Sequence, residues 1–242
     1  MANHGRPRYR RLSVIVPAFN EASTIEASLR RALDAELSIE REIIVVDDGS
    51  TDSTAAIVER MPDASLRLVR QSGNLGKGAA LRRGFEEATG DLIVVHDADL
   101  EYDPRDWDRM LGPLQEGSAT VVYGSRFTGE RRNMMFWHWV GNRFLSLMTN
   151  VLYNTTISDM ETCYKMIDAG VLKQLRLGAN RFDIEPEITA KLLRSGSRIY
   201  EVPIRYTGRE MHEGKKISWK DGIPALVTLV KLRFVPMTSI RR

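Results

Sequence analysis

The first half of the chain alternates short apolar runs with segments of helical spacing, and this alternation constrains the fold more than any other feature. The apolar runs are predicted to be strands: Leu12–Val16, Ile43–Val46, Leu66–Val69 and Leu92–Val95. The segments between them are predicted to be helices: Ala22–Ala35, Ser53–Arg60 and Gly78–Ala88. Almost continuous apolar runs are typical of strands buried on both faces of a parallel sheet. The sequence therefore predicts an α/β fold, an open and mostly parallel sheet with helices on both faces.

Polar residues follow three of the predicted strands at the point where each strand ends. They are PAFNE (17–21) after the first strand, DDGSTD (47–52) after the second and DAD (97–99) after the fourth. Ligands of open α/β sheets bind beyond the carboxyl ends of the strands. We therefore expect these three loops to meet at one site.

The pair Asp97 and Asp99 points to a metal ion. Two carboxylates this close at the end of a buried strand repel each other and raise each other's pKa, unless a cation lies between them. Carboxylate oxygens suit Mg²⁺ or Mn²⁺, and such ions also bind the phosphates of substrates. The pattern predicts a metal site for a phosphorylated ligand; the alternative is a solvated, aspartate-rich turn or helix cap.

The composition narrows the functional classes. A net charge of +3 over 242 residues is too small for a strongly basic nucleic-acid-binding protein, so no nucleic acid partner is expected. The single cysteine, Cys163, excludes an internal disulfide and a cysteine-based zinc cluster, and it fits a reducing, cytoplasmic setting. No apolar stretch reaches about 18 residues, so no membrane-spanning helix is predicted. The first apolar run ends at Pro17 and is too short for a signal peptide.

The second half is less regular. It contains the predicted strands Val121–Gly124 and Ile199–Tyr206, the predicted helices Pro186–Arg194 and Lys220–Phe234, and the basic loop Arg209–Lys216. Residues 134–153 are apolar and aromatic, but they carry too many polar side chains to cross a bilayer. This segment is either a core helix or an interfacial helix that touches a membrane, with tryptophan at the depth of the headgroups.

Two loops of the first half allow more than one interpretation. In DDGSTD, Gly49 and a capping Ser50 or Thr51 suit a tight turn into a helix, whereas the paired aspartates suit hydrogen bonds from a base or a ribose. The segment GNLGKG (73–78) lacks the Walker spacing. It either presents backbone N–H groups to an anion or forms only a tight turn into a helix.

Taken together, the motifs resemble the family-2 inverting glycosyltransferases, and within them the dolichyl- and polyprenyl-phosphate mannosyl- and glucosyltransferases. The resemblance runs from about residue 12 to 234 and is carried, in order, by VIVPAFNE, VVDDGSTD, GNLGKGAALRRGFEEATGDLIVVHDADLEYDP, GSRF, SDMETCYK, FDIEPEITAKLLRSG, EVPIRYTGR and EGKKISWKDG. It implies a GT-A, Rossmann-like fold in one domain with a small mixed C-terminal part. Residues 12–126 would bind the nucleotide sugar. Residues 127–242, with the C-terminal helix, would bind the acceptor.

The resemblance implies roles for matching positions on the donor side. The implied nucleotide-sugar-binding residues are Pro17, Ala18, Asn20, Glu21, Asp47, Asp48, Lys77, Asp97 and Ala98. Asp97 and Asp99 would be catalytic and would bind Mg²⁺ or Mn²⁺ together with the donor diphosphate. Glu101, at a position where relatives often carry glutamine, is the implied third metal ligand.

On the acceptor side, the implied phosphate-binding residues are Arg126, Arg143, Ser146, Arg205, Lys215 and Lys216. Arg126 would contact the acceptor phosphate or the donor diphosphate, and it is the third implied catalytic residue. Relatives often place an arginine four residues before the position of Ser146. That position is Asn142 here, with Arg143 beside it.

The implied reaction is a metal-dependent, inverting transfer of mannose or glucose from GDP-mannose or UDP-glucose to a polyprenyl phosphate. Because the acceptor phosphate is already ionised, its attack needs no general base. Two alternatives stay open: transfer to a hydroxyl of a soluble sugar or cell-wall polymer, with Asp159 or Glu161 as base, and a non-catalytic nucleotide-sugar-binding module. A lipid acceptor implies a peripheral location at the cytoplasmic face of the membrane, with contacts through Phe136–Trp139 and the N-terminal arginines.

Overall fold

The computed structural model describes residues 8–132, 134–208 and 222–241. Within these ranges the strands are β1 (Arg11–Ala18), β2 (Glu40–Asp47), β3 (Leu66–Arg70), β4 (Leu92–Val95), β5 (Val121–Ser125), β6 (Lys165–Asp168) and β7 (Tyr200–Pro203). The helices are α1 (Ile25–Asp34), α2 (Thr54–Glu59), α3 (Lys77–Glu87), α4 (Trp107–Gln115), α5 (Phe136–Tyr153), α6 (Ala169–Lys173), α7 (Ile184–Arg194) and α8 (Gly222–Phe234).

The strands form one sheet in the order β3-β2-β1-β4-β6-β5-β7. Strand β6 is antiparallel to its neighbours β4 and β5, and the other strand pairs are parallel. The predicted open, mostly parallel sheet is therefore confirmed. Strands β2, β1 and β4 are adjacent and parallel, so their carboxyl ends lie at the same edge. The register pairs Ala18 with Asp47, and Ile15 with Val95.

The central strands are buried because helices pack closely on them. Val14, Ile15 and Val16 of β1 have no exposed surface. Helix α3 crosses β1 at Gly84, where a Cβ atom would overlap the side chain of Ile15. Helix α1 turns its residues Ile25, Leu29 and Ala32 into the same core at helical spacing. This packing explains the almost continuous apolar runs of the sequence.

Four elements after β4 differ from the sequence-based predictions. Helices α4 and α6 and strand β6 were missed, and the predicted strand Ile199–Tyr206 is shorter, since β7 covers only Tyr200–Pro203. Helix α4 contains Pro113, which a pattern analysis takes as a break. Strand β6 has four residues and begins with Lys165, whose charge is buried only because Glu185 pairs with it. Neither element carries a local signal of its type.

Helix α5 is only partly a core helix. It packs against α7 and α8 through a second apolar cluster that includes Leu145, Ala190 and Leu229. Its first turn is open to solvent, with Phe136 65% and Trp137 77% exposed. In the part of the chain that the structure describes, no helix is both long and apolar enough to cross a membrane.

Candidate active site

The carboxyl ends of β1 and β2 bring the first two predicted loops together. The backbone N–H of Asp48 donates to the carbonyl oxygen of Ala18 at 2.8 Å. Asn20 has a left-handed conformation with φ of 53°. Its N–H donates to Ser50 Oγ at 3.0 Å, and its Oδ1 accepts from the N–H of Thr51 at 2.9 Å. These bonds join the loops after β1 and β2 into one surface.

The remaining residues predicted to bind the nucleoside lie in the same place. The N–H of Glu21 donates to Thr54 Oγ1 at 2.8 Å, and Asp47 Oδ1 accepts from the N–H of Ser50 at 3.3 Å. Pro17 is paired with a residue of β2 near the end of β1. The structure therefore brings the predicted nucleoside-binding residues together, and their contact with a nucleoside stays a prediction.

The carboxylate of Asp48 holds the glycine-containing loop that follows β3. Its Oδ1 accepts hydrogen bonds from Gln71 Nε2 at 2.6 Å and from the N–H of Leu75 at 2.8 Å. Its Oδ2 accepts from the N–H of Gly76 at 2.8 Å. The anion that these backbone N–H groups bind is thus a side chain of the chain itself.

The glycines of this loop are explained by close packing. Gly76 has a φ of +101°, and a Cβ atom there would overlap the carbonyl oxygen of Asn180. A Cβ atom on Gly78 would overlap the carbonyl oxygen of Ala179. Of the two interpretations of GNLGKG, the structure therefore favours a tight turn into α3.

The first turn of α3 places Lys77 against the carboxylate of Asp97. Lys77 Nζ lies 2.8 Å from Asp97 Oδ1 and 2.9 Å from Oδ2. Burial alone would raise the pKa of the Asp97 carboxyl, but the Lys77 ammonium outweighs it and the net pKa is lowered. Burial would lower the pKa of Lys77, and the charge of Asp97 instead raises it well above its usual value. Both groups are therefore charged at neutral pH.

The carboxylates of Asp97 and Asp99 fit a divalent ion that also binds phosphate. Among the described residues, no group of three or more His, Cys, Asp or Glu side chains is arranged to hold a metal ion. Mg²⁺ is usually bound by one or two carboxylates together with substrate phosphates and waters. The pair Asp97 and Asp99 matches this donor set, because a diphosphate would complete it.

Glu101 is tied to a different part of the sheet edge. Its carboxylate is buried, and its Oε2 accepts a hydrogen bond from the hydroxyl of Tyr206 at 2.5 Å. The N–H of Glu101 donates to Asp99 Oδ1 at 3.1 Å, across Leu100, whose φ is 64°. Glu101 is thus next to Asp99 in space, and its role as third metal ligand stays a prediction.

Arg126 is buried and held by a two-point ion pair. Its Nε donates to Asp159 Oδ2 at 2.8 Å and its Nη2 to Asp159 Oδ1 at 2.7 Å. A third bond runs from Nη2 to Asn142 Oδ1 at 3.1 Å. Burial lowers the pKa of the Arg126 guanidinium, but the charge of Asp159 outweighs it and raises the pKa well above its usual value. Asn142, at the family's arginine position, therefore positions Arg126.

Three guanidinium groups surround one aromatic ring beside this ion pair. The Cζ atoms of Arg126, Arg131 and Arg143 lie 5.8, 5.5 and 5.5 Å from the centroid of the Phe127 ring. We call these three residues the arginine cluster. Neighbouring positive charges repel one another unless an anion lies between them, and arginine matches the geometry of phosphate. The arrangement therefore suits a phosphate group. Sequence reasoning missed Arg131.

Tyr206 connects the arginine cluster with the pair Asp97 and Asp99, which we call the acidic or metal motif. Its ring lies 5.3 Å from the Cζ of Arg126, and its hydroxyl donates to Glu101, which contacts Asp99. The two charged regions are therefore linked through the buried side chains of Tyr206 and Glu101.

The other residues predicted to bind the acceptor do not gather here in the same way. Ser146 is 2% exposed, and its Oγ accepts from the N–H of Met160 at 3.0 Å, inside the protein. Arg205 turns to Asp106, with Nη1 3.4 Å from its Oδ1. Lys215 and Lys216, and the basic loop that contains them, lie outside the described residues.

Buried charges of the second half form a further group beneath the acidic motif. Lys165, which is fully buried, pairs with Glu185, and Glu185 Oε1 lies 3.7 Å from Lys77 Nζ. Burial raises the pKa of Glu161 to about 7. Sequence reasoning missed Lys165 and Glu185. Both lie in motifs that carry the family resemblance, SDMETCYK and FDIEPEITAKLLRSG, and that was the available signal.

The fold of the chain matches known protein structures over almost its whole length. Glucosyl-3-phosphoglycerate synthase from Mycobacterium tuberculosis, in complex with Mn²⁺, uridine diphosphate and phosphoglyceric acid, superposes with a TM-score of 0.73. The match covers 94% of this chain and 80% of that one, at 22% sequence identity. The same enzyme has also been crystallised with Mg²⁺. The fold is therefore that of the GT-A-like glycosyltransferases.

The sequence places the chain within a family. The model of glycosyl transferase family 2 matches residues 13–176, and the chain belongs to this family. It is 30% identical over 208 residues to dodecaprenyl-phosphate galacturonate synthase of Rhizobium johnstonii, covering 82% of this chain and 60% of that protein. It is 29% identical over 216 residues to dolichol-phosphate mannosyltransferase of Pyrococcus furiosus, covering 86% and 60%. The chain thus spans about 60% of the length of these two relatives.

Proposed function

We propose that the chain transfers a hexose, mannose or glucose, from a nucleoside diphosphate sugar to a polyprenyl phosphate, with inversion at the sugar carbon. The observation that carries this proposal is the link through Tyr206 between an acidic motif and the arginine cluster. The acidic motif, with a divalent ion, suits the donor diphosphate, and the arginine cluster suits the acceptor phosphate. The two relatives are named for dodecaprenyl phosphate and dolichol phosphate, and these names support a polyprenyl phosphate as the acceptor.

On the donor side, Asp97 and Asp99 would hold Mg²⁺ or Mn²⁺. When bound, the ion supplies positive charge that stabilises the leaving diphosphate. Lys77 lies against Asp97 and adds a second positive charge at the same place. The loops that contain Asn20, Glu21 and Asp48 would hold the nucleoside of GDP-mannose or UDP-glucose.

On the acceptor side, the arginine cluster would bind the phosphate that attacks the sugar. The bond to Asp159 fixes Arg126 through Nε and Nη2 and leaves its Nη1 without a hydrogen-bond partner among the described residues. Nη1 is thus available to a phosphate oxygen. Because the acceptor phosphate is already an anion, the chain needs only to orient it and to exclude water.

The test is an assay with labelled GDP-mannose or UDP-glucose, Mn²⁺ and a polyprenyl phosphate. Label should enter the organic phase, and Arg131→Gln should raise the KM for the acceptor about tenfold with the KM for the donor unchanged, since one charged hydrogen bond is lost. Arg30→Gln, an exposed change on α1, is the control. Label confined to a water-soluble product would contradict the proposal.

A second candidate function is transfer to a hydroxyl of a soluble sugar or cell-wall polymer, which needs a general base. Of the two candidate bases, Asp159 is bound on both oxygens by Arg126, whereas Glu161 has a pKa of about 7, raised by burial. Glu161 is therefore the base in this alternative. The same assay would then give a water-soluble product. A non-catalytic module would bind nucleotide without turnover, and Asp99→Ala would not change that binding.

We also propose that the chain lies peripherally on the cytoplasmic face of a membrane, where a lipid acceptor resides. The exposed apolar surfaces of α5 and α8, which include Phe136, Trp137, Val227 and Phe234, support this location, and Arg233 adds a positive charge beside Phe234. The N-terminal arginines are a second proposed contact with anionic lipids. Replacement of Trp137 and Trp139 by serine should reduce co-sedimentation with anionic liposomes. Tyr200→Ser, an exposed aromatic change on β7, should not. Unchanged sedimentation of the tryptophan variant would contradict the assignment.

A further inference from the structure

Two acidic side chains beside the metal motif have no part in the reaction proposed above. Glu161 and Glu185 each have a buried carboxylate oxygen, Oε1, with no hydrogen-bond partner among the described residues. Most buried polar atoms in proteins have a partner, and a buried acceptor without one costs free energy. The charge of Glu185 acts on the carboxyl group of Glu161, so the two oxygens belong to one group of charges. A ligand with hydroxyl groups would supply the missing donors.

Glu185 is placed at the donor side of the site. It is 5% exposed, and its Oε2 accepts from the buried ammonium of Lys165. Its Oε1 lies 3.7 Å from the Nζ of Lys77, and the same Nζ contacts Asp97 at 2.8 Å. This oxygen has no hydrogen bond but lies within ion-pair distance of Lys77, which places it next to the aspartate that would hold the metal and the diphosphate.

Glu161 is placed near the acceptor side. It follows Asp159, the partner of Arg126, by two positions and is half-buried. The charges of Lys165, Glu185 and Arg126 all act on its carboxyl group. Glu185 is therefore connected through Lys77 to Asp97, and Glu161 is within the electrostatic reach of both Glu185 and Arg126.

The chemistry of this pair suits hydroxyl groups and disfavours a carboxylate. A carboxylate oxygen accepts hydrogen bonds, and the hydroxyls of a hexose donate them. The carboxylate of a uronic acid would place a like charge against Glu185, and against Glu161 wherever that group is ionised. The two lysines nearby cannot offset that charge readily, because Lys77 is paired with Asp97 and Lys165 with Glu185.

We propose that Glu161 and Glu185 bind hydroxyl groups of the donor sugar and select a neutral hexose over a hexuronic acid. This inference rests on the proposed function and names its sugar class. It distinguishes the chain from the relative that is named a galacturonate synthase.

The test is calorimetric titration of the chain in Mn²⁺ with two matched series: UDP, UDP-glucose and UDP-glucuronate, and GDP, GDP-mannose and GDP-mannuronate. In the series that binds, the neutral sugar should bind at least about tenfold more tightly than its uronate, because like charges are brought together. A uronate that binds as tightly as the neutral sugar would overturn the subsite. No binding of any of the six nucleotides would contradict the proposed function and, with it, the subsite.

The variant Glu161→Gln completes the test. It should weaken binding of the neutral sugar nucleotide about tenfold, narrow the difference from the uronate, and leave the affinity for the nucleoside diphosphate unchanged. Glu116→Gln, an exposed change at the end of α4, is the matched control. Equal loss for diphosphate and sugar nucleotide would contradict the assignment. Glu185→Gln also breaks the pair with buried Lys165 and should lower stability, so Glu161→Gln and the unaltered chain carry the test.

Discussion

The loop that Asp48 holds is fixed by hydrogen bonds from neutral donors, whereas Arg126 on the proposed acceptor side is fixed by a buried ion pair. Asp48 accepts three bonds from the loop at residues 71–76. Arg126, by contrast, is held by Asp159, which lies 33 positions further along. The loop is thus held by several hydrogen bonds, whereas the position of Arg126 depends mainly on one ion pair.

This difference has a consequence for mutation. A neutral change at Asp48 weakens hydrogen bonds from neutral donors. A neutral change at Asp159 leaves the buried charge of Arg126 unpaired, which is more costly. The loop that Asp48 holds should therefore tolerate a neutral change better than the Arg126–Asp159 pair does.

The largest effect is expected at the metal motif. Asp99→Asn should lower the transfer rate about 100- to 1000-fold, because the leaving diphosphate loses charge stabilisation. The melting temperature should change little, since asparagine keeps a side-chain oxygen that can accept the hydrogen bond from the N–H of Glu101. Initial rates with saturating Mn²⁺ measure the effect, and Asp108→Asn on the exposed face of α4 is the control. A rate within a few-fold of the original would contradict a role for Asp99.

The next largest effect is a loss of stability, which allows the Arg126–Asp159 pair to be compared directly with the loop that Asp48 holds. Asp159→Asn should lower the free energy of unfolding by about 3–5 kcal/mol, because Arg126 is left as an unpaired buried charge. Asp48→Asn should cost about 1–3 kcal/mol, since its partners are neutral donors. Urea denaturation of both variants measures the difference. A larger loss for Asp48→Asn would reverse the comparison.

A smaller effect is expected at the loop that Asp48 holds. Gly76→Ala should cost about 2 kcal/mol, because φ is +101° and the new Cβ would overlap Asn180. Gly73→Ala, three residues earlier, is the matched control, since its Cβ would meet no atom within 4 Å. The two thermal melting curves show the contrast. Equal loss in both variants would mean that packing against Asn180 does not fix the loop.

The smallest effect is a pH dependence from Glu161. Burial raises its pKa in the folded protein from 4.5 to about 7, so folding favours the protonated form. The stability that this group contributes is complete below about pH 4.5 and is lost as the pH rises through 7. Glu161→Gln should flatten this part of the profile, measured by denaturant unfolding between pH 5 and 8. A decline of the same steepness in the variant would assign the dependence to another group.

The donor side could be predicted from the sequence because its signals are local. The apolar runs at Ile43–Val46 and Leu92–Val95 mark strands, and the aspartates at their ends reach one edge by the parallel register. The hydrogen bonds by which Asp48 holds the loop after β3 could not be predicted, since Gln71 and Gly76 are more than 20 positions away in the sequence.

Much of the acceptor side lay beyond sequence reasoning because long-range pairing decides it. Strand β6 is inserted antiparallel between β4 and β5, and only this pairing brings Asp159 to Arg126 and Lys165 to Glu185. Arg131 belongs to no sequence motif that we identified. Its proposed role follows from its position beside the Phe127 ring, which two other arginines also contact.

The central claim is that the acidic motif and the arginine cluster form one site for two phosphate-bearing ligands. A crystal structure with Mn²⁺, a nucleoside diphosphate and a short-chain polyprenyl phosphate tests it most directly. The anomalous signal of manganese should lie at Asp97 and Asp99, and the acceptor phosphate should contact Arg126 and Arg131 beside the Phe127 ring. Manganese away from both aspartates, or an acceptor phosphate bound elsewhere, would contradict it.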